Sequence, residues 1–192
     1  TNFLSFNTSE ILKQTIKIFL LYVGLTISIF VILNIFGIRS FNSFNLAMTV
    51  ISSGGFLPVN DLSSILINET QIVIFSFSML VSFFSIFFVY NLLFLRNKNL
   101  NFFYEDIHLF LYFITMVAIF FIFFSFDNDF TYSFLSLTSS ISNIGISLNS
   151  SPQNLTFIFL ILVIIGGSFL STSSGIRFLK LYSLFKFSIN DL

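Results

Sequence analysis

Residues 36–64 read FGIRSFNSFNLAMTVISSGGFLPVNDLSS, and this stretch decides which fold the chain can adopt. It is too apolar for an ordinary water-exposed loop. Its first part predicts an amphipathic helix of about a dozen residues, which is too short to cross a bilayer. The Gly54-Gly55 pair then permits a tight turn. The pattern indicates either a re-entrant segment that enters the membrane and returns, or an interfacial loop with turn glycines.

A second stretch repeats this order of features. Residues 126–154 read FDNDFTYSFLSLTSSISNIGISLNSSPQN. Aligning Gly54 with Gly145 gives an offset of 91 and few identities, but span, short helix, glycine turn, polar return and span recur in the same order. Internal duplication is common in transport proteins. We therefore predict two tandem repeats, at residues 1–98 and 99–192.

Long apolar runs surround both stretches. The 192-residue chain is 56% hydrophobic and 8% charged, whereas a soluble domain carries about 25% charged residues. Three runs lack Asp, Glu, Lys and Arg, and a fourth carries only His108 near its start. Each reaches the roughly 20 apolar residues that a helix needs to cross the hydrocarbon core. We expect an all-α membrane protein with crossings at residues 18–37, 70–95, 107–126 and 155–176.

The basic residues predict an orientation. All but Arg39 fall on one side of the four expected crossings. The positive-inside rule makes that side cytoplasmic, so we expect a multi-pass protein of the cell inner (plasma) membrane with both ends of this segment in the cytoplasm. The basic residues on that side are Lys13, Lys17, Arg96, Lys98, Arg177, Lys180 and Lys186.

The composition argues against several classes of function. The chain has no cysteine and zero net charge, so neither a thiolate metal site nor a nucleic-acid partner is indicated. A single histidine, no paired buried carboxylates and no phosphate-binding glycine loop argue against an enzyme, and no covalent cofactor is predicted. The chain begins with Thr1 and shows no signal peptide, and we expect it to be a fragment.

The two glycine turns are candidate cation sites. The C-terminal end of a short re-entrant helix directs the negative pole of its dipole toward the membrane interior, where a cation is favoured. Uncharged residues follow, and a ring of their backbone carbonyls can replace the hydration shell of an ion. The predicted ion-filter residues are Ser52, Ser53, Gly54, Gly55 and Phe56, together with Asn143, Ile144, Gly145, Ile146 and Ser147.

The last apolar run changes character midway. Glycines and hydroxyl residues weaken a helix there and offer partners to freed backbone groups. The segment is either a flexible loop beneath a pore or a close helix–helix contact, since both favour small residues. Its candidate residues are Gly166, Gly167, Ser168, Ser171, Thr172, Ser173, Ser174 and Gly175.

Three stretches resemble the Trk/Ktr/HKT superfamily of potassium and sodium transporters, most closely its bacterial Trk-type pore subunit. Residues 44–61 and 134–152 resemble the second and third pore helices with their filters. Residues 165–180, IGGSFLSTSSGIRFLK, resemble the inner helix of the third repeat with its intramembrane loop. The resemblance covers nearly the whole chain. It implies a potassium-channel-like fold in which the chain supplies the second and third of four helix–pore-helix–helix repeats around one pore.

The resemblance also implies roles and partners. Gly54 and Gly145 would be the filter glycines, with nearby carbonyls facing a potassium ion, and residues 166–175 would be a gate loop. Potassium would be the substrate. The partners would be membrane lipid, a second copy of the full-length subunit in a homodimer, and a cytoplasmic nucleotide-binding regulatory subunit, with no nucleic acid.

Two departures from the family pattern matter. Phe169, Leu170, Ser173 and Ser174 stand where small residues or glycines are common, which predicts a stiffer gate loop. Asn143 and Ile144 replace expected threonines in the third filter, which leaves selectivity open. A sodium-permeable or sodium-coupled member of the superfamily and a non-transporting membrane scaffold are therefore kept as alternatives. Two repeats make half a ring, so we predict that this segment alone does not conduct.

Overall fold

A computed structural model describes residues 8–59, 61–84, 104–124, 130–147, 156–168 and 171–190. The described chain is mostly helical, as predicted. Each short helix follows a longer one, and a pair of two-residue strands lies between the last two helices. The elements are α1 (Thr8–Ile35), α2 (Ser40–Ser52), a 3-10 turn (Leu62–Ser64), α3 (Glu69–Phe83), α4 (Tyr104–Phe124), α5 (Phe130–Ser142), α6 (Thr156–Ile164), β1 (Ile165–Gly166), β2 (Ile176–Arg177) and α7 (Phe178–Asn190).

Helix α1 has the composition of a membrane span. Within the described residues it is the one helix long and apolar enough to cross a bilayer, over Thr15–Ile35. Only 17% of its most apolar window is buried inside the protein, so most of its apolar surface faces outward, which is consistent with membrane association. The apolar parts of α3 and α4 are shorter, and the other predicted crossings extend into residues outside the described ranges.

Helix α3 joins two apolar cores. On one side it packs with α1 and α2 around Leu33, Leu46 and Phe75. On the other, Phe83 packs with residues of α4, α5 and α6, among them Leu137. The contact between α3 and α5 is the most extensive between any two described helices. The predicted repeats are therefore packed together through the last helix of the first and the short helix of the second.

A buried glutamine fixes the start of α3. The Gln71 side-chain oxygen accepts hydrogen bonds from the amides of Ile67 (3.0 Å) and Asn68 (3.3 Å). Its side-chain amide donates to the carbonyl of Phe36 at 3.0 Å. One side chain therefore satisfies free amides at the α3 N-terminus and a carbonyl beyond the end of α1, and it connects these two helix ends.

The chain leaves helical geometry between α6 and α7. Strands β1 and β2 pair in parallel, with Ile165 opposite Ile176 and Gly166 opposite Arg177. Just before β2, Gly175 has a φ of +89°, a backbone conformation that glycine adopts readily. We refer to residues 166–168 and 171–175 as the serine loop. Phe169 and Leu170, at which the sequence departs from the family pattern, lie outside the described residues.

Candidate functional site

The two short helices end in the same backbone motif. Both α2 and α5 contain 13 residues. The residue after each, Ser53 (φ 49°) and Asn143 (φ 59°), adopts the left-handed conformation. At the end of α2 the amide of Ser53 donates to the Val50 carbonyl at 3.2 Å, and the next amide reaches back to Thr49 at 3.1 Å. The end of α5 repeats both bonds, so each helix ends in a Schellman-type turn.

These turns correct the alignment of the two stretches by one residue. Gly55 (φ 69°) and Gly145 (φ 77°) hold equivalent positions, 90 residues apart, so the predicted equivalence of Gly54 with Gly145 is wrong. Gly54 instead matches Ile144. The corrected offset brings identical residues together that the offset of 91 left unmatched. These pairs are Ser43 with Ser133, Phe44 with Phe134, Ile51 with Ile141, and Ser52 with Ser142.

In each turn, a side-chain hydroxyl of the short helix is hydrogen-bonded to a backbone group that follows the turn. In the first, the Thr49 side chain donates to the carbonyl oxygen of Phe56. In the second, the Ser139 side chain accepts from the amide of Ile146 at 2.9 Å. Each bond spans seven residues from equivalent positions, although the direction of donation is reversed. We name residues 53–57 and 143–147 the first and second return segments.

The two return segments touch. Gly55 packs so closely against the carbonyl oxygen of Ile144 that a Cβ atom at this position would clash with it. A Cβ atom on Gly145, by contrast, would find no heavy atom of the described chain within 4 Å. The sequence-predicted filter residues are thus brought together at Gly55 and Ile144. The Phe56 side chain is 81% exposed and the Ile146 side chain is buried.

Both return segments also bind the serine loop. The Ser53 hydroxyl lies 3.3 Å from the hydroxyl of Thr172. The Asn143 side-chain amide donates to the carbonyl of Ser174 at 3.0 Å. Ser53 and Asn143 are equivalent residues, each the first after its short helix. The structure therefore gathers three separately predicted segments, and the equivalent residue of each repeat makes the connection.

The serine loop is anchored on the C-terminal end of α3. The amides of Ser168 and Ser173 donate to the carbonyls of Phe83 (3.2 Å) and Ser82 (3.3 Å). Gly167 lies against the Phe83 carbonyl, where a Cβ atom would not fit. The last carbonyls of a helix lack partners within it, and here the loop supplies them.

Hydroxyls and one cation hold the interior of the loop. The Ser173 hydroxyl accepts from the amide of Gly167 at 2.9 Å, and the Ser171 hydroxyl donates to the Ser168 carbonyl at 2.9 Å. The Nη1 atom of Arg177 lies 2.8 Å from the Ser173 carbonyl and 3.2 Å from that of Ser168. From the sequence, Arg177 is predicted only as one of the cytoplasmic basic residues. The sequence offered one signal for this role. Arg177 is the first basic residue after the loop and directly follows Gly175 and Ile176.

A cleft of about 320 Å³ opens where the second return segment meets the loop. Its polar lining consists of hydroxyl, amide and backbone groups. Among the residues that the structure describes, the buried side-chain oxygen of Asn143 has no hydrogen-bond partner. Within the described residues no group of three His, Asp or Glu side chains could hold a metal ion. The lining residues are Ser136, Ser139, Ser140, Asn143, Gly145, Ile146, Ser147, Phe159, Val163 and Ser174.

The described geometry is that of a helical protein in which two short helices end on one shared loop. Carbonyl and hydroxyl oxygens, the C-terminal ends of two helices and the Arg177 guanidinium make up this site. No protein-family model, curated protein or solved structure matches the chain.

Proposed function

We propose that the chain forms part of a pathway for a monovalent cation across a membrane, with potassium as the substrate. The observation that carries this proposal is the meeting of Ser53 and Asn143, equivalent ends of two short helices, on one serine loop. A cation pathway needs oxygens that converge from separate elements. A single interfacial loop would not need such convergence.

The chemistry of the return segments supports a cation that loses its water. Neither α2 nor α5 has a basic residue in its last turn, so the negative end of each helix dipole is not neutralised locally. The residues that follow carry only amides, hydroxyls and apolar side chains. Neutral carbonyl oxygens suit potassium because they replace its hydration shell without holding the ion too tightly to leave.

The membrane arrangement is part of the proposal. On this reading α2 and α5 are re-entrant pore helices, and the chain is multi-pass in the cell inner membrane with both ends of the segment cytoplasmic. The resemblance to the Trk/Ktr/HKT superfamily supports two further repeats in the full subunit. It also supports a homodimer of that subunit and a cytoplasmic nucleotide-binding partner that controls the loop.

Ion flux into proteoliposomes tests the proposal. The full-length gene product that contains this chain is reconstituted, and rubidium uptake is compared with that of empty vesicles and of the isolated 192-residue segment. We expect uptake by the full-length protein, competition by potassium, and none by the segment. Gly55→Ala should abolish uptake because its Cβ atom would displace the Ile144 carbonyl. Gly24→Ala, which has open space around it, is the matched control.

Two outcomes would replace the proposal by its rivals. Sodium uptake without rubidium uptake would indicate the sodium-permeable alternative. No uptake of either ion by a well-folded full-length protein would indicate a membrane scaffold. The tight packing of Gly167 against Phe83 is the observation that favours the scaffold, because small residues also serve close helix contacts.

A further inference from the structure

The first long helix of each repeat carries a tyrosine at an equivalent position. Tyr22 of α1 and Tyr112 of α4 are 90 residues apart, the same offset that relates the two return segments. Each tyrosine precedes an isoleucine in the last turn of its short helix, Ile51 or Ile141, by the same number of residues. The offset also aligns other identical residues of the two long helices. These pairs are Leu21 with Leu111, Ile29 with Ile119, Phe30 with Phe120, and Ile32 with Ile122.

The two tyrosines differ in what their hydroxyls contact. The Tyr22 hydroxyl donates to the Ile51 carbonyl at 2.9 Å and so ties the end of α2 to α1. The Tyr112 hydroxyl is buried and has no hydrogen-bond partner among the described residues. Its ring packs near those of Phe83 (6.4 Å between centroids) and Phe178 (5.9 Å). The same side chain therefore holds the short helix in the first repeat and only packs in the second.

The Ile51 carbonyl needs a donor from outside α2. The two carbonyls before it accept the amides of Ser53 and Gly54 in the Schellman-type turn. The last carbonyls of a helix lack partners within the helix, and this turn supplies only some of them. Among the described residues, the donor that reaches the Ile51 carbonyl is the Tyr22 hydroxyl.

The surroundings of this bond make it costly to lose. Tyr22 and Ile51 lie along a cleft between α1 and α2 that is also lined by Phe44 and Met48. A carbonyl that loses its donor beside apolar groups is destabilised more than one that water can reach. We therefore expect the phenol to hold the end of α2 in one position.

We propose that Tyr22 is a positioning residue that holds the first return segment against α1, and that this bond sets the ion preference of the pathway. The first return segment begins two residues after Ile51, and its Gly55 packs against the Ile144 carbonyl of the second. A shift of the end of α2 therefore changes how the two return segments meet. The positioning depends only on the Tyr22–Ile51 bond, whereas its effect on ions rests on the proposed function.

The two return segments would then contribute differently to ion choice. Sodium is smaller than potassium and is bound well only where the surrounding oxygens can close in on it. Because Tyr22 fixes the end of α2, the carbonyls that follow it resist such closing. The second return segment has no tyrosine bond of this kind, and Asn143 ties it to the serine loop instead. The first return segment is therefore the more rigid of the two.

Removing one oxygen atom from each tyrosine tests the positioning without any need for transport. Tyr22→Phe and Tyr112→Phe delete the same atom at equivalent positions of the full-length gene product, and hydrogen exchange detected by mass spectrometry follows the return segments. We expect Tyr22→Phe to speed exchange in the first segment about tenfold. Tyr112→Phe should leave exchange in the second unchanged, because it breaks no bond among the described residues. Thr26→Val is a further control, since its hydroxyl bonds to the Tyr22 carbonyl within α1.

Ion preference is measured on the same variants in proteoliposomes. Tyr22→Phe should lower the ratio of rubidium to sodium uptake about fivefold. Tyr112→Phe and Thr26→Val should keep the ratio of the parent. A merely structural role of Tyr22 would reduce the uptake of both ions alike and leave the ratio unchanged.

The two measurements separate the positioning role from the proposed function. Unchanged exchange in Tyr22→Phe, or an equal rise in the second segment with Tyr112→Phe, overturns the positioning role. Faster exchange with an unchanged uptake ratio supports the positioning and refutes its effect on ion preference. Faster exchange in Tyr22→Phe, with neither ion taken up by the parent, supports the positioning and refutes the cation pathway. Faster exchange together with a lower ratio supports both.

Discussion

Phe44 of α2 and Phe134 of α5 are the same residue at equivalent positions, yet their surroundings differ. Phe44 is 53% exposed. It makes an edge-on contact with Phe30 of α1, with 6.3 Å between the ring centroids. Phe134 is 6% exposed and lies between the rings of Phe77 (5.5 Å) and Phe130 (5.8 Å). Helix α5 is thus enclosed by the protein, whereas α2 presents one face to its surroundings.

Despite this difference, the two helices end alike. Their last bonds join backbone groups, and the turns need only left-handed residues at Ser53 and Asn143 and glycines two residues later. A Schellman-type turn is therefore insensitive to what covers the helix. The two helices therefore share the backbone turn and differ in the packing around it. Each prediction tests either the turn or the packing.

The largest effect is expected from the two glycines with positive φ. Gly55→Ala combines a left-handed alanine with a clash against a carbonyl and should reduce the free energy of unfolding by about 3 kcal/mol. Gly145→Ala has the same strain but open space, and should cost about 1–2 kcal/mol. Detergent-solubilised protein titrated with sodium dodecyl sulfate and followed by circular dichroism measures both values.

Gly24→Ala is the control for this pair. It lies within α1 with no heavy atom of the described chain near its Cβ position, and should stabilise the protein by roughly 0.5–1 kcal/mol. Equal losses for Gly55→Ala and Gly145→Ala would show that the return segments do not touch.

An intermediate effect is expected when the hydroxyl of Thr49 or Ser139, each bonded to a return segment, is removed. Ser139→Ala leaves the buried amide of Ile146 without its acceptor and should cost about 2 kcal/mol. Thr49→Val keeps the shape of the side chain and frees a carbonyl of Phe56, a residue exposed enough for solvent to replace the bond, so roughly 0.5 kcal/mol is expected. The same unfolding titration measures both, and a larger loss for Thr49→Val would contradict the burial difference between the repeats.

The smallest effects are expected where the return segments meet the serine loop. Asn143→Ala removes a 3.0 Å bond to Ser174 and an asparagine from a left-handed position that it tolerates well, at a cost of about 1 kcal/mol. Ser53→Ala removes a 3.3 Å hydroxyl contact and should cost roughly 0.5 kcal/mol.

Hydrogen exchange of the loop amides, detected by mass spectrometry, measures this pair directly. We expect faster exchange in residues 171–177 for Asn143→Ala than for Ser53→Ala. Thr115→Ala is the control, since its hydroxyl bonds only within α4, to Tyr112, among the described contacts. Unchanged exchange in both variants would show that the loop does not depend on the short helices.

The sequence predicted the segments but not their equivalent residues. A glycine pair at Gly54-Gly55 marks a turn without indicating which glycine adopts positive φ, because either could. The offset of 91 paired the wrong one. Only the hydrogen bonds of Ser53 and Asn143 show that the left-handed position falls earlier, on residues that are not glycine.

The candidate site was also predicted only in part, because the sequence indicated its segments but not the contacts between them. Glycine and hydroxyl residues in 166–175 indicated either a flexible loop or a close helix–helix contact, since they weaken a helix and also allow close packing. They could not indicate that Arg177 turns back onto the loop, because positive charge near the end of an apolar run is also typical of a membrane boundary. The contact of Ser53 with Thr172 joins residues 119 positions apart, which no local pattern encodes.

Local chemistry by itself determined the helical class, the long apolar runs and the two short helices with their glycine turns, because hydrophobicity, periodicity and backbone freedom act between neighbours in the chain. The tertiary structure alone decided that Gly55 touches Ile144, that α5 is enclosed while α2 is not, and that Arg177 is hydrogen-bonded to carbonyls of the serine loop. These contacts join distant segments, and they depend on how the helices pack around α3, which no single segment specifies.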